Sequence, residues 1–348
     1  MFTFAVKTQA NEEQRKYWGN LIRSHKILGC YCQTELGHGS DVAALETTAT
    51  LDKATDEFII NSPTVTSTKW WPGDLGRFTT HAACFAKLVL DGKPYGIHCF
   101  MVPLRDLNTF KHLPGVKTGD LGPKFGYTSK DNGYAIFDNV RIPRNNMLMG
   151  LCSVDKEGNF EILRDLRVLY STMLYIRTLI STSVSNFLQC ALQIAIRYAS
   201  CRRQFATIEG SKEERRIIDY QTQQHILVPL LAAVILQNVT GNYMRELFAK
   251  VMDEIEVDKF EGLDVLHHLL AGFKDRQSEE ALQGVDICRR ATGGAGFLSD
   301  AGFTELADVG APFPTFEGDN TVMVLQASRY IFKLLRWSSE GRKLPFPF

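Results

Sequence analysis

Several features that would point to metal, disulfide or nucleic-acid chemistry are missing from this sequence. The eight cysteines are scattered without a C-x-x-C pair, and the eight histidines form no H-x-x-x-H pair. Structural metal sites and disulfide frameworks need closer grouping, so we expect reduced, mostly buried thiols in an intracellular protein and no metal site. Lys and Arg together number 39, as do Asp and Glu, so no net charge attracts nucleic acid.

Long apolar runs are missing as well. The longest, Ile226 to Leu236, is interrupted by Pro229 and is shorter than the roughly 18–20 residues of a membrane span, so we expect no span. The first 20 residues are largely polar and indicate no secretory signal. The C-terminal residues 343–348 do not match the S-K-L type of peroxisomal address.

The first half of the chain shows the pattern of short strands separated by Gly and Pro. The segment 91–94, Asp-Gly-Lys-Pro, predicts a hairpin turn between two apolar runs because Gly and Pro supply the turn geometry. Such spacing favours an antiparallel β-barrel or sandwich. The predicted strands are 27–34, 45–50, 58–61, 83–90, 96–102, 134–137 and 140–142.

After about residue 155 the apolar residues recur at helical spacing. The segments 163–199, 217–252, 263–292 and 320–337 predict four long helices in an antiparallel bundle. Residues 1–26 resemble the end of a helical region, amphipathic but alone, with its natural packing partners missing. We therefore predict an α+β fold with a helical remnant (1–26), a central β domain (27–155) and a helical bundle domain (156–340).

Two motifs of the β region could contact a ligand. In residues 33–41, QTELGHGSD, a predicted strand ends at a turn with two glycines, where hydroxyls and free amides can reach a polar ring edge or a phosphate. In residues 68–76, TKWWPGDLG, an indole can stack on a planar cofactor, although only one of Trp70 and Trp71 can face it. Taken alone, these motifs are explained more simply by an ordinary glycine turn and by core packing.

Two further motifs end predicted helices. Arg202 and Arg203, in the segment YASCRRQF, could complement the helix dipole or bind a phosphate through a guanidinium fork. The glycines of 293–297, GGAGF, follow a helix instead of a strand, so they are no Rossmann fingerprint, and a helix C-cap explains them.

The segment 312–320, PFPTFEGDN, places Glu317 between Phe316 and Gly318, just ahead of a predicted helix. Aromatic, low-dielectric surroundings raise the pKa of a carboxyl group and make it a stronger base. The alternative is an acidic residue in the first turn of a helix, where it would favour the helix dipole.

Taken together and in this order, the motifs resemble the acyl-CoA oxidase and dehydrogenase superfamily, most closely the peroxisomal acyl-CoA oxidases. The resemblance runs from the first residues to about Lys333 and rests on QTELGHGS, TKWWPGDLG, DNGYAIFDNVRIPRNNML, YASCRRQF, DYQTQQH and TFEGDNTVMVLQ. It implies a central β domain followed by a four-helix bundle, with FAD at their junction. Most of the family's N-terminal helical domain and its C-terminal oxidase domain are absent from this sequence.

The resemblance also implies roles for individual residues. Glu317 matches the catalytic base that removes the proton alpha to a thioester. Thr34 matches a residue that bonds the flavin edge, and Ala295 stands where the family usually has a histidine. The implied cofactor-binding residues are Thr34, Trp70 and Gly73, then Arg202, Gln204, Phe205, Gly293 and Gly294 across a dimer interface, and Asp319 and Asn320 close to the cofactor.

The function that the resemblance implies is oxidation of fatty acyl-CoA to trans-2-enoyl-CoA, with FAD as cofactor and molecular oxygen reduced to hydrogen peroxide. It further implies a homodimer and a peroxisomal location. Two alternatives stay open: a dehydrogenase that passes electrons to another flavoprotein, and a non-catalytic relative that acts as an interaction subunit. The QTELGHGS and Trp70-Trp71 motifs argue against the dehydrogenase.

Overall fold

A computed structural model describes residues 1–344, so the C-terminal segment 343–348 lies largely outside the described residues. The chain divides into two compact units. The first comprises residues 1–124 and 129–173, and the second comprises residues 125–128 and the chain from 174 onward. The division into domains at residues 26 and 155 stays a prediction.

The first unit begins with two helices, α1 (Phe2–Gln9) and α2 (Glu12–Arg23). Their natural packing partners were expected to be missing, but the helices are not isolated in the structure. Trp18 and the apolar face of α1 are buried in one cluster with Phe85 and Met101, which come from the sheet. An amphipathic helix gains most of its stability by burying its apolar face, and here a face of the sheet provides that surface.

Eleven strands make up the rest of the first unit: β1 (Gly29–Cys32), β2 (Thr48–Asp52), β3 (Glu57–Asn61), β4 (Lys69–Gly73), β5 (His81–Leu90), β6 (Lys93–Pro103), β7 (Val116–Asp120), β8 (Asn132–Phe137), β9 (Val140–Pro143), β10 (Cys152–Val154) and β11 (Phe160–Ile162). A six-stranded sheet has the order β1-β5-β2-β3-β9, with β6 also paired to β5. The order β4-β8-β7 forms a three-stranded sheet, and β10 pairs with β11.

The predicted α+β class with a β domain is confirmed, but the large sheet is mixed. β1 and β2 both run parallel to β5, in the registers Gly29↔His81 and Thr48↔Lys87. The other pairings of this sheet are antiparallel. Parallel partners are joined by long connections, which leave no local turn signal in the sequence.

The hairpin predicted at 91–94 joins β5 and β6, which pair antiparallel up to Leu90↔Lys93. Its two loop residues, Asp91 and Gly92, have φ values of 49° and 76°. Positive φ at both central residues is the geometry of a type I′ turn, which matches the twist of the flanking strands.

The second unit is mainly helical. Its elements are the bulk of α3 (Ser171–Cys201), the two short strands β12 (Arg203–Ala206) and β13 (Glu214–Arg216), and the helices α4 (Gln221–Glu256), α5 (Glu261–Ala291), α6 (Phe303–Gly310) and α7 (Asn320–Ser339). Apolar residues of α3, α4 and α5, among them Leu188, Leu230 and Val285, share one buried cluster. The four long predicted helices are therefore present, whereas α6 and the β12–β13 pair were not foreseen.

Two helix starts differ from the sequence prediction. The first long helix begins at Ser171 instead of 163, because the side chain of Asp165 accepts a hydrogen bond from the Arg167 amide and starts a 3-10 turn. Such side-chain bonds favour turns and caps over helix interiors. The second begins at Gln221 after a 3-10 turn over Ile217–Asp219.

By length and composition, the segments Leu166–Cys201 and Gln221–Glu256 are apolar enough to cross a membrane. No span was expected because Pro229 interrupts the longest apolar run. This reason does not hold for α4, which continues through Pro229. Apolar residues of both segments contribute to the buried cluster of the helical unit, as is usual for core helices.

Candidate active site

The segment that carries Glu317 forms a tight turn immediately before α7. Glu317 and Gly318 have φ values of 58° and 109°, in the region that side chains with a Cβ rarely adopt. The Asn320 amide donates to the Pro314 carbonyl over 2.9 Å, which closes the loop. Asp319 is the N-cap of α7 and accepts from the Thr321 amide, so Glu317 lies ahead of the helix and is not a first-turn acid.

Two buried cations hold this turn from neighbouring helices. Arg177 of α3 donates from Nε to the Glu317 carbonyl over 2.9 Å. Lys274 of α5 donates from Nζ to the Gly318 carbonyl over 2.6 Å and to Asn320 Oδ1 over 2.8 Å. Two successive carbonyls of the turn are thus each bonded to a cation, which supports a backbone conformation that is costly by itself.

Burial and nearby positive charges have opposite effects on the pKa of the Glu317 carboxyl. Burial raises the pKa of Glu317 above its ordinary value, while the positive charges of Arg177 and Lys274 lower it, and burial prevails. No described residue hydrogen-bonds to the carboxylate. A carboxylate with a raised pKa and free oxygens can accept a proton from a ligand.

A second candidate region is a groove of about 840 Å³ on the helical unit. Arg202, Gln204, Gly293 and Gly294 all line it, together with His225 and Arg290 among others. Arg202 donates from Nη2 to Gln204 Oε1 over 3.1 Å. A Cβ added at Gly293 or Gly294 would meet open space, so the backbone there is accessible to a ligand. Phe205 is 73% exposed and is not part of the lining.

In the first unit, backbone bonding brings two of the predicted residues together. The Trp70 amide donates to the Thr34 carbonyl over 2.9 Å. The Thr34 hydroxyl makes no hydrogen bond within residues 1–344 and is available to a ligand. Trp70 stacks on Tyr134 with ring centroids 5.8 Å apart, and Gly73 ends the same strand. Trp71 has a φ of 81° and is 52% exposed, so the two indoles face different surroundings.

A buried ion pair fixes the loop that follows Thr34. Lys69 donates from Nζ to Glu35 Oε1 over 2.9 Å, with both side chains fully buried. The same ammonium donates to the carbonyls of Gln33 and Phe85. The Glu35 carboxylate also accepts from the Glu46 and Thr47 amides, so both charges are fully hydrogen-bonded.

Sequence reasoning missed Lys69, Glu35, Arg177 and Lys274. One signal was available: Lys274 shares the buried face of α5 with Leu266, Leu270 and Ser278, at helical spacing. A lysine on an apolar stripe needs buried acceptors, which marks it as a residue with a specific partner. Across the described part of the chain no cluster of His, Cys, Asp or Glu suits a metal, and all eight cysteines are free.

Each of the two units matches a domain of a known protein family. Residues 30–140 match the acyl-CoA dehydrogenase middle domain, and residues 170–332 match the acyl-CoA oxidase C-alpha1 domain. The fold and the two matched domains define the chain as a member of the acyl-CoA oxidase and dehydrogenase superfamily.

Within that superfamily the chain belongs to the acyl-CoA oxidases. It is 44% identical over 347 residues to peroxisomal acyl-coenzyme A oxidase 1 of Arabidopsis thaliana and 42% identical over 342 residues to that of Rattus norvegicus. Each alignment covers 98% of this chain and 52% of the relative. The chain therefore spans about half the length of the curated relatives it matches.

Solved structures agree with this assignment. The Arabidopsis thaliana acyl-CoA oxidase 1 superimposes with a TM-score of 0.95 at 44% identity, over 100% of this chain and 53% of that one. An acyl-CoA oxidase-2 of Caenorhabditis elegans, bound with FAD, ascaroside-CoA and ATP, gives 0.93 at 38% identity, over 96% and 50%.

Proposed function

We propose that this chain carries out the base-catalysed step of an FAD-dependent acyl-CoA oxidase. The substrate would be a fatty acyl-CoA and the product a trans-2-enoyl-CoA. The observation that carries the proposal is the Glu317 carboxylate, which has a raised pKa, no hydrogen-bond partner among residues 1–344 and a backbone held by two buried cations.

The chemistry of the thioester explains why such a carboxylate is needed. The proton alpha to a thioester is weakly acidic, so its removal requires a positioned base of raised pKa. Glu317 would take this proton at a carboxylate oxygen. The developing enolate oxygen needs hydrogen-bond donors, and the Glu317 and Gly318 amides make no backbone hydrogen bond in the described chain.

The residues present fit an FAD cofactor. The unbonded Thr34 hydroxyl and the Trp70 indole offer a donor and an aromatic surface for the flavin ring. The groove with Arg202, Gln204, Gly293 and Gly294 offers a guanidinium and accessible backbone for phosphates, and by family resemblance it would serve the FAD of a second subunit. Asp319 and Asn320 would lie near the cofactor, and Phe205 would contact it only in the dimer.

When bound, FAD would accept the beta hydrogen as hydride and pass both electrons to molecular oxygen, which yields hydrogen peroxide. The chain's own residues would bind and orient the two reactants and exclude water. We further propose a homodimer without nucleic-acid partners or membrane spans, and a peroxisomal location like that named for the relatives.

A visible spectrum of the purified chain with added FAD tests the proposal. Anaerobic palmitoyl-CoA should bleach the flavin bands, and air should restore them with release of hydrogen peroxide. A Glu317→Gln variant should retain the flavin and show no bleaching. A chain that holds FAD but is not reduced by any fatty acyl-CoA, or that binds no FAD, would refute the proposed activity.

A further inference from the structure

Lys274 is a fully buried lysine in the middle of α5. Burial and, to a smaller extent, the Arg177 charge lower the pKa of its ammonium to about 8. A charged ammonium in such a place is costly unless strong acceptors surround it. Its acceptors are the Gly318 carbonyl at 2.6 Å and Asn320 Oδ1 at 2.8 Å.

Both acceptors belong to the turn that presents Glu317. Asn320 begins α7, and its side chain is itself fixed by α5: Nδ2 donates to Ser278 Oγ over 3.1 Å and to the Asp275 carbonyl over 3.4 Å. Lys274 therefore joins the middle of one long helix to the residues on either side of the α7 N-cap. This network locates the Glu317 backbone without contacting its carboxylate.

The charged groups around Glu317 come from three elements. Within the helical unit, the charge of Arg177 of α3 and, to a smaller extent, that of Lys274 of α5 lower its pKa. His267 lies 3.5 Å from Arg177 and stays neutral at pH 7, since burial and the Arg177 charge lower its pKa to about 4. The negative charges of Asp319 and Asp275 raise the pKa of the Lys274 ammonium and partly offset the lowering by burial and Arg177.

We infer that Lys274 is a positioning residue for the Glu317 base: its ammonium anchors the Gly318 carbonyl and places a buried positive charge beside the carboxylate. The anchor keeps the left-handed turn in one conformation. The charge also opposes the effect of burial, which by itself favours the protonated, inactive form of the carboxyl. The consequence for catalysis rests on the proposed function, whereas the effect on the carboxylate does not.

Titration of Glu317 by ¹³C NMR of protein labelled at the glutamate carboxyl tests the inference without turnover. The resonance that is lost in Glu317→Gln assigns the signal. In Lys274→Met, Glu317 should titrate about one pH unit higher than in the parent, because a close opposite charge has been removed. Lys250→Met, which removes an exposed lysine of α4, should leave the Glu317 titration unchanged.

Lys274→Gln separates the effect of the charge from the effect of the hydrogen bond to the Gly318 carbonyl. It also replaces Lys274→Met as the test if that variant does not fold. It removes the charge but keeps a donor for the Gly318 carbonyl, so Glu317 should again titrate higher. If the protein is active, Lys274→Gln should retain a higher kcat than Lys274→Met when each is measured at its own pH optimum. The acid limb of kcat/KM should move to higher pH in both variants. A Glu317 titration in Lys274→Gln that equals the parent's overturns the inference.

The two proposals fail in different ways. A protein without oxidase activity whose Glu317 still titrates higher in the Lys274 variants refutes the proposed function and supports the role of Lys274. An active protein whose Glu317 titration is unchanged by both substitutions supports the proposed function and overturns the role of Lys274. Should neither variant fold, the parent decides: its Glu317 resonance should show a second inflection at the pH where Lys274 loses its proton, and a Glu317 resonance that does not respond to the Lys274 deprotonation overturns the inference.

Discussion

Lys69 and Glu35 illustrate at the residue scale why a buried charge needs its partner. Burial alone would raise the pKa of Glu35, but the Lys69 ammonium and the Glu46 and Thr47 amides outweigh it and hold the pKa below its ordinary value. Glu35 thus stays ionised inside the first unit. Because Lys69 also bonds the Gln33 carbonyl, it contacts both neighbours of Thr34 in the chain.

Replacement of this lysine should be severely destabilising. Lys69→Met leaves the Glu35 carboxylate buried without its counter-charge, which typically costs about 3–5 kcal/mol. Lys53 forms an exposed ion pair with Asp91, and Lys53→Met should cost at most about 1 kcal/mol. Urea unfolding of both variants measures the difference. Equal losses would show that the Lys69–Glu35 pair contributes no more than a surface pair.

Glu317 should set the acid limb of activity. Burial raises the pKa of its carboxyl, and a protonated carboxyl cannot accept the substrate proton, so kcat/KM should fall as the pH drops through a value above the ordinary 4.5. At a pH above this limb, Glu317→Gln should be slower than the parent by about 10²–10⁴-fold, and its own profile should lack the acid limb. A pH profile of both proteins checks this. An acid limb at or below 4.5 would exclude Glu317 as the group that titrates.

The hairpin between β5 and β6 shows at the element scale how a turn fixes strand register. Its Gly92 has a φ of 76°, and a Cβ added there would meet no other atom. Any cost of a side chain at this position is therefore conformational and not steric. Because the turn sets the register, it also determines which β5 side chains face each of two buried clusters, with Cys84 in one and Phe85 in the other.

Gly92→Ala should lower the free energy of unfolding by about 1 kcal/mol, because alanine resists the left-handed conformation. Gly39→Ala is a matched control, since Gly39 also has open space around its Cα but no positive φ. Thermal unfolding of the two variants gives the comparison. A Gly92→Ala protein as stable as Gly39→Ala would mean that the turn adopts another conformation in solution.

At the scale of the whole molecule, two copies of the chain would share each cofactor in the proposed dimer. The proposed dimer assigns the groove around Arg202 to the FAD of the other subunit. Exposed apolar residues on α4, such as Ile235, Leu236 and Val239, offer further surface for association. The Arg202 groove and the Glu317 turn both belong to the helical unit, so one unit would serve two cofactors.

Arg202→Ala should weaken FAD binding about 10- to 100-fold, the loss expected for one charge-assisted hydrogen bond. Arg197→Ala removes an exposed arginine of α3 outside the groove lining and should leave the affinity unchanged. Fluorescence titration with FAD measures both affinities, and sedimentation shows the oligomeric state. If Arg202→Ala binds FAD like the parent, the groove does not contact the cofactor's phosphates.

Much of this architecture could be predicted because it depends on local pattern. Helical spacing located α3, α4, α5 and α7, and the Asp91–Gly92 turn located the β5–β6 hairpin, since each periodicity or turn needs only neighbouring residues. The candidate base was found in the same way, from Phe316, Glu317 and Gly318 before a helix. Its role stays a prediction.

The long-range contacts had no local signal. The parallel pairing of β1 with β5 and the bond from Arg177 to the Glu317 carbonyl, 140 residues apart in sequence, arise only when distant elements pack. Lys274 lies on the buried face of α5, and only the fold brings the Gly318 carbonyl to it. Composition and periodicity thus determined the elements and the chemical type of the candidate base, while the pKa and backbone of Glu317 depend on burial and on buried cations that tertiary packing alone brings together.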